Sequence, residues 1–183
     1  MGVKLERVYF MVVDDNDHMR RLVKVILRSM GVEYVAEATS GEEALKVMRD
    51  GIPDILITDW AMEPMNGLEL TRYIRRAPKS PNRFMPIIML TGYGAPERVQ
   101  AARDAGVSEF IVKPLTAAAL FQRVMSVVQK PRPFVRCEPF FGPDRRRHQD
   151  RWCESDRRHG LLTPPPIGGQ LTPMTAAQRF GAE

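Results

Sequence analysis

Cysteine is scarce: Cys137 and Cys153 are the only two among 183 residues. Two thiols cannot build a disulfide scaffold or a four-cysteine zinc site. Together with His148 and His159 they match no standard zinc-ligand spacing, so they read as unpaired linker residues. Long apolar runs are also missing. None approaches the ~18 residues that a membrane-spanning helix needs, so no span is expected. The stretch MGVKLERVYFMVV holds one short apolar run, closed by Asp14 and Asp15, and lacks a small-residue cleavage site. It does not read as a secretory signal, and a cytoplasmic location is expected. Glycine-rich phosphate loops are absent too. Neither GxxxxGKS/T nor GxGxxG occurs, which excludes the usual nucleotide cradles.

The charge that is present is unevenly spread. The net charge is +5, yet residues 1–129 hold 17 Lys and Arg against 16 Asp and Glu. Residues 130–183 hold 10 against 6 and carry eight of the fifteen prolines. The composition therefore changes near Lys130-Pro131. A nearly neutral body does not look like a nucleic-acid binder, whatever the whole-chain pI.

Within the body, short apolar runs alternate with helical patterns. Strands are expected over residues 8–13, 33–38, 54–58, 86–90 and Glu109–Val112. Between them, Met19, Leu22, Val23, Ile26, Leu27 and Met30 keep a helical i, i+3, i+4 spacing that Gly31 stops. Ser40 with Glu43 suggests a capping box for a second helix, over residues 42–50. Further helices are expected over 68–74, Pro96–Ala105 and 116–129. Five strand-then-helix units imply a doubly wound parallel sheet with helices on both faces. Such folds place reactive groups beyond the carboxyl ends of their strands.

Those ends are populated in a particular way. Asp14 and Asp15 come after the first strand, Asp59 after the third, Thr91 and Gly92 after the fourth, and Lys113 and Pro114 after the fifth. A single Asp there reads as a helix cap or a solvated loop charge. Three converging carboxylates repel one another, and a hard divalent cation relieves the repulsion. Mg²⁺ suits oxygen ligands and a phosphate partner. Held by Asp15 and Asp59, with Asp14 through water, the ion leaves one Asp59 oxygen free to attack phosphorus. The Lys113 ammonium and the Thr91 hydroxyl then face the transferring phosphoryl oxygens.

These residues give the stretch 7–129 a plain resemblance. Asp14-Asp15, Asp59 within TDWAMEPMNGLEL, Thr91-Gly92 and Lys113-Pro114 are similar to the receiver domain of bacterial two-component response regulators, of the chemotaxis (CheY-like) stand-alone type. The resemblance implies a flavodoxin-like sheet in the order 2-1-3-4-5. It implies Asp59 as phosphoacceptor, Lys113 and Thr91 as catalytic partners, and Mg²⁺ on Asp14, Asp15, Asp59 and the Ala61 backbone carbonyl. Thr91 and Phe110 fall on the switch positions. The resemblance further implies a histidine kinase or a histidine phosphotransfer protein as donor, and contact with a downstream protein as output. Such a domain is a phosphoacceptor switch rather than a turnover enzyme. Ala61 and Tyr93 stand where relatives tune phosphoryl lifetime. One departure is visible: the proline usual four residues after the phosphoacceptor is Glu63 here, with Pro64 next.

The rest of the chain reads as an irregular extension: a linker or docking segment over 130–160 and a disordered tail over 161–183. It is too short and proline-rich for a DNA-binding output module, so DNA is not expected as a partner. Phe134, Phe140 and Phe141 either fold back onto the body or anchor a partner. Asp144-Arg145-Arg146 recurs as Asp156-Arg157-Arg158 around Trp152. Arginine forks and a stacking face suit phosphates and bases. The segment resembles arginine-rich tails that bind cyclic di-GMP; the alternative is a solvated linker or protein-docking peptide. The rival class for the body is a haloacid-dehalogenase-type phosphatase, which requires an acid–base Asp where Ala61 stands.

Overall fold

A computed structural model describes residues 5–92, 96–137, 140–144 and 161–167. A short 3₁₀ turn, Leu5–Arg7, leads into β1 (Tyr9–Val13) and α1 (Asp17–Ser29). Next come β2 (Tyr34–Ala38), α2 (Gly41–Asp50), β3 (Ile55–Asp59), α3 (Gly67–Arg76), β4 (Ile87–Thr91), α4 (Pro96–Ala105), β5 (Glu109–Val112) and α5 (Ala117–Gln129). The five strands form one sheet in the order β2-β1-β3-β4-β5, all pairings parallel. The expected order is therefore the observed one.

Alternation within the strands explains the two layers. Phe10, Val12, Ile55, Ile57, Ile88 and Ile111 point to one face, where Val23 and Leu27 of α1 and Leu120 and Val124 of α5 bury them. Met11, Val13, Leu56 and Ile87 point to the other, beneath Ala44 and Met48 of α2 and Leu70 and Ile74 of α3. Burying each large side chain is worth about 1.5–3 kcal/mol, so both faces must be covered for the sheet to persist.

Local signals set the helix ends. Asn16 caps α1, its side chain accepting from the His18 and Met19 amides at 2.9 and 3.3 Å. The Ser40 hydroxyl accepts from Glu43 N at 3.2 Å, as expected. The return bond is displaced: the Glu43 carboxylate takes both the amide and hydroxyl of Thr39, which hold it below the usual carboxylate range. A full capping box occurs instead at Asn66 and Glu69, at 2.9 and 3.1 Å, and starts α3.

The extension departs from the expected irregularity. β6 (Phe134–Cys137) and β7 (Phe140–Pro143) pair antiparallel, and β8 (Leu161–Leu162) joins the other side of β6. Pro143 does not prevent this, because β7 is an edge strand and its proline ends it. Nor is the stretch 161–167 outside the fold: Ile167 packs against the core on the α1–α5 side of the sheet. Phe134 and Phe141 do fold back, meeting each other and Phe84 with ring centroids 5.1–5.6 Å apart. Arg132 secures the join through Glu109, 4% exposed, with Nη2 2.7 Å from its carboxylate.

Candidate functional site

The parallel register brings the carboxyl ends of the strands level. Val13 lies opposite Ala38 and Thr58, Asp59 opposite Leu90, and Thr91 opposite Val112. Residues just beyond these pairs therefore converge at one edge. Asp14, Asp15 and Asp59 each bring a carboxylate oxygen within 4.8 Å of the others. Asp14 is 1% exposed and Asp59 5%, while Asp15 is open to solvent. Lys113 enters from β5, its Nζ 2.8 Å from Asp59 Oδ1 and 3.5 Å from Asp14 Oδ2. Thr91 is buried at the end of β4, and its carbonyl accepts from the Lys113 amide at 2.7 Å.

The backbone is shaped around the acids. The Asn16 amide donates to Asp14 Oδ1 at 2.8 Å, and Arg20 Nη1 donates to the Asp14 carbonyl at 2.8 Å. The Ala61 amide donates to Asp59 Oδ2 at 3.1 Å. The turn after Asp59 closes tightly: Gly67 N donates to the Trp60 carbonyl at 3.1 Å, and a Cβ on Gly67 would lie 2.0 Å from the Asp59 carbonyl oxygen. Only glycine fits there. Glu63-Pro64 and Lys113-Pro114 are cis peptides.

Burial and crowding set the electrostatics. Burial pushes the Asp14 carboxyl up, the Asn16 amide opposes this, and the Asp59 charge adds to the rise. Burial alone would lower Lys113, but the hydrogen bond and charge of Asp59, joined by Asp14, outweigh it and hold the ammonium above its ordinary value. One ammonium cannot balance three carboxylates. The donor set, three oxygens within one ion's reach at a half-open edge, fits a hard divalent cation.

The raised Asp14 pKa makes stability depend on pH. With its folded pKa above 3.8, Asp14 favours the fold below that value and opposes it as pH rises through the raised one. Mg²⁺ should reverse the penalty near neutrality. Asp14→Asn is expected to melt higher than wild type without Mg²⁺ and to gain less from millimolar Mg²⁺. Paired thermal melts at pH 7 check both; a wild-type melt indifferent to Mg²⁺ contradicts the cation reading.

The structure thus brings together Asp14, Asp15, Asp59 and Lys113, with Thr91 on the neighbouring strand end. Phe110 is half-buried among Met89, Ala102, Val107, Trp60 and Leu68. Tyr93 and the segment with Arg145, Arg146, Trp152, Arg157 and Arg158 lie outside the described residues. Asn16 and Arg20, which fix Asp14, carry little signal of that role in the sequence; Asn16 shows only as a helix cap two residues on. Arg98 carries none, yet its guanidinium carbon lies 5.5 Å from the Trp60 ring centroid.

A doubly wound sheet with an acidic pocket and a lysine at its carboxyl edge defines a receiver-type phosphoacceptor domain. The family model described as "Response regulator receiver domain" matches residues 10–125, so the chain belongs to that family. It is 34% identical over 120 residues to the chemotaxis protein CheY of Pseudomonas aeruginosa, covering 66% of this chain and 95% of that one. To CheY-3 of Vibrio cholerae it is 36% identical over 120 residues, covering 66% and 91%. Among solved structures it is similar to the chemotaxis response regulator CheY4 of Vibrio cholerae (TM-score 0.60, 31% identity, 66% and 98% covered). A CheX-CheY-BeF3-Mg complex from Borrelia burgdorferi matches with TM-score 0.60 at 28% identity, covering 68% and 98%. Receiver domains are phosphoacceptor switches, so the chain is a response regulator of two-component signalling. These matches give the phosphatase reading no support. Among the described residues no helix is long and apolar enough to cross a membrane.

Proposed function

We propose that Asp59 accepts a phosphoryl group from a histidine kinase or a histidine phosphotransfer protein, and that the resulting aspartyl phosphate changes the partners of the α4–β5–α5 face. Lys113 carries the reading. It comes from the far end of the domain, 99 residues from Asp14, to sit 2.8 Å from the Asp59 carboxylate. A structural lysine needs one acid; this one spans two that otherwise repel each other.

Mg²⁺ would be held by Asp14, Asp15, Asp59 and the Ala61 carbonyl. When bound, it neutralises charge on the phosphoryl oxygens. The chain's own residues do the rest. An Asp59 oxygen attacks phosphorus; the P–N bond to the donor imidazole breaks, and the imidazole leaves with the electron pair and takes up a proton. Lys113 neutralises oxygen charge that grows in the transition state. The Ala61 amide keeps the Asp59 carboxylate from rotating. Thr91 bonds the transferred group, and the half-buried Phe110 repacks beside it as β4 and α4 adjust. Phe110 has no hydroxyl, so packing alone drives its movement.

Beryllofluoride, which mimics a phosphoryl group on a carboxylate, tests this. In a Trp152→Phe background with Mg²⁺, it is expected to shift the Trp60 fluorescence, and Asp59→Asn is expected to abolish the shift. An equal response in the Asn variant contradicts the reading.

A further inference from the structure

Arg75, near the C-terminus of α3, is the largest fully buried side chain among the described residues, 0% exposed. Its Nε donates to the Gly106 carbonyl at 2.9 Å and its Nη1 to the Arg83 carbonyl at 2.8 Å. Nη2 has no partner among the described residues. The guanidinium carbon lies 5.2 Å from the centroid of Phe134, a β6 residue of the extension. Burial pushes its pKa down to about 9, which still leaves it charged at neutral pH. Two carbonyls and an aromatic face do not fully offset the hydration a guanidinium gives up. The β6–β7 hairpin is thus held down by aromatic burial and opposed by the cation beneath it. A contact balanced in this way responds to a modest change in its seat.

That seat is joined to the phosphoacceptor by two rods. α3 begins against Asp59, where Gly67 leaves no room for a Cβ, and carries Arg75 in its last turn. α4 carries Arg98 over Trp60, the residue after Asp59, and packs Ala102 with Trp60 and Phe110. It closes at Gly106, where φ is +96. β7 lies directly on this turn: a Cβ on Gly142 would come 2.9 Å from Gly106 Cα, and one on Gly106 would come 3.2 Å from the Phe141 carbonyl oxygen. At such separations the turn cannot shift far without displacing the hairpin. The hairpin is seated on an arrangement in which the Lys113 ammonium lies 2.8 Å from Asp59 Oδ1.

We infer that the β6–β7 hairpin is a built-in brace: it holds the α4–β5 turn in the arrangement in which Lys113 touches the Asp59 carboxylate directly, so phosphorylation of Asp59, which puts a phosphoryl group on that carboxylate, and release of the hairpin favour each other. The inference rests on the phosphoacceptor reading above. Coupling is reciprocal, which allows the effect to be measured from either end.

In the full-length chain, Mg²⁺ with beryllofluoride is expected to speed amide hydrogen exchange at residues 134–137 and 140–142 roughly five-fold or more. The double variant Phe134→Ala, Phe141→Ala is expected to bind beryllofluoride tighter by a similar factor. Unchanged or slowed exchange in the wild type overturns the brace. So does equal affinity in a folded double variant. Should that variant unfold, wild-type exchange decides alone. If beryllofluoride fails to bind the wild type, the phosphoacceptor reading and the brace fall together; if it binds and the hairpin amides do not respond, only the brace falls.

Discussion

Lys113→Ala is expected to slow phosphoryl transfer from acetyl phosphate to Asp59 by about 10²–10³-fold, the scale of losing one charged donor to transition-state oxygens. The ammonium touches Asp59 at 2.8 Å and Asp14 at 3.5 Å. It is therefore positioned before transfer, without reorganisation. Removing it also leaves the three acids uncompensated, so the Asp14 carboxyl is expected to move further up. Single-turnover labelling at saturating Mg²⁺ gives the rate, and a melt in Mg²⁺ shows whether the chain remains folded. Lys113→Arg restores charge but not the compact ammonium, and is expected to recover only part of the rate. A folded Lys113→Ala variant with wild-type transfer contradicts the role.

Gly67→Ala is expected to have an effect of similar size by a different route. Its Cβ would lie 2.0 Å from the Asp59 carbonyl oxygen and 3.0 Å from the Thr58 hydroxyl. The first of these neighbours is backbone and cannot swing aside. Either α3 backs away, breaking the Asn66–Glu69 cap and the Gly67-to-Trp60 hydrogen bond, or Asp59 is displaced. Overpacking of this kind costs about 1–3 kcal/mol, and misplacing a reacting group by about 1 Å costs on the order of 10²-fold in rate. Urea denaturation and acetyl phosphate labelling measure the two. A variant with unaltered stability and rate would mean the close approach is absent in solution.

Much of the body is legible in the sequence because buried parallel strands are short apolar runs with little else to be. YFMVV at β1 and IIMLT at β4 match them within a residue. The site is legible because a parallel sheet converts sequence order into position: the residues just past each strand must meet at one edge. The features that escape a sequence reading are non-local or ambiguous. Ser40 with Glu43 has the same pattern as Asn66 with Glu69, and only the second closes as a full box. Arg75 looks like a solvent residue at the end of an amphipathic helix, and it is covered by segments distant in the sequence: Arg83, the Gly106 turn and Phe134 of the hairpin. That hairpin is hidden by its prolines and by strands of four residues each. Pairing between β6 and β8 joins residues about 27 apart, which no local pattern announces.

Covalent labelling of Asp59 bears most directly on the central claim. The full-length chain is incubated with acetyl phosphate and Mg²⁺, reduced with borohydride to trap acyl phosphate, and mapped by peptide mass spectrometry. The modification should fall on Asp59 alone, should need Mg²⁺, and should vanish in Asp59→Asn. Modification elsewhere, or undiminished labelling of the Asn variant, contradicts it.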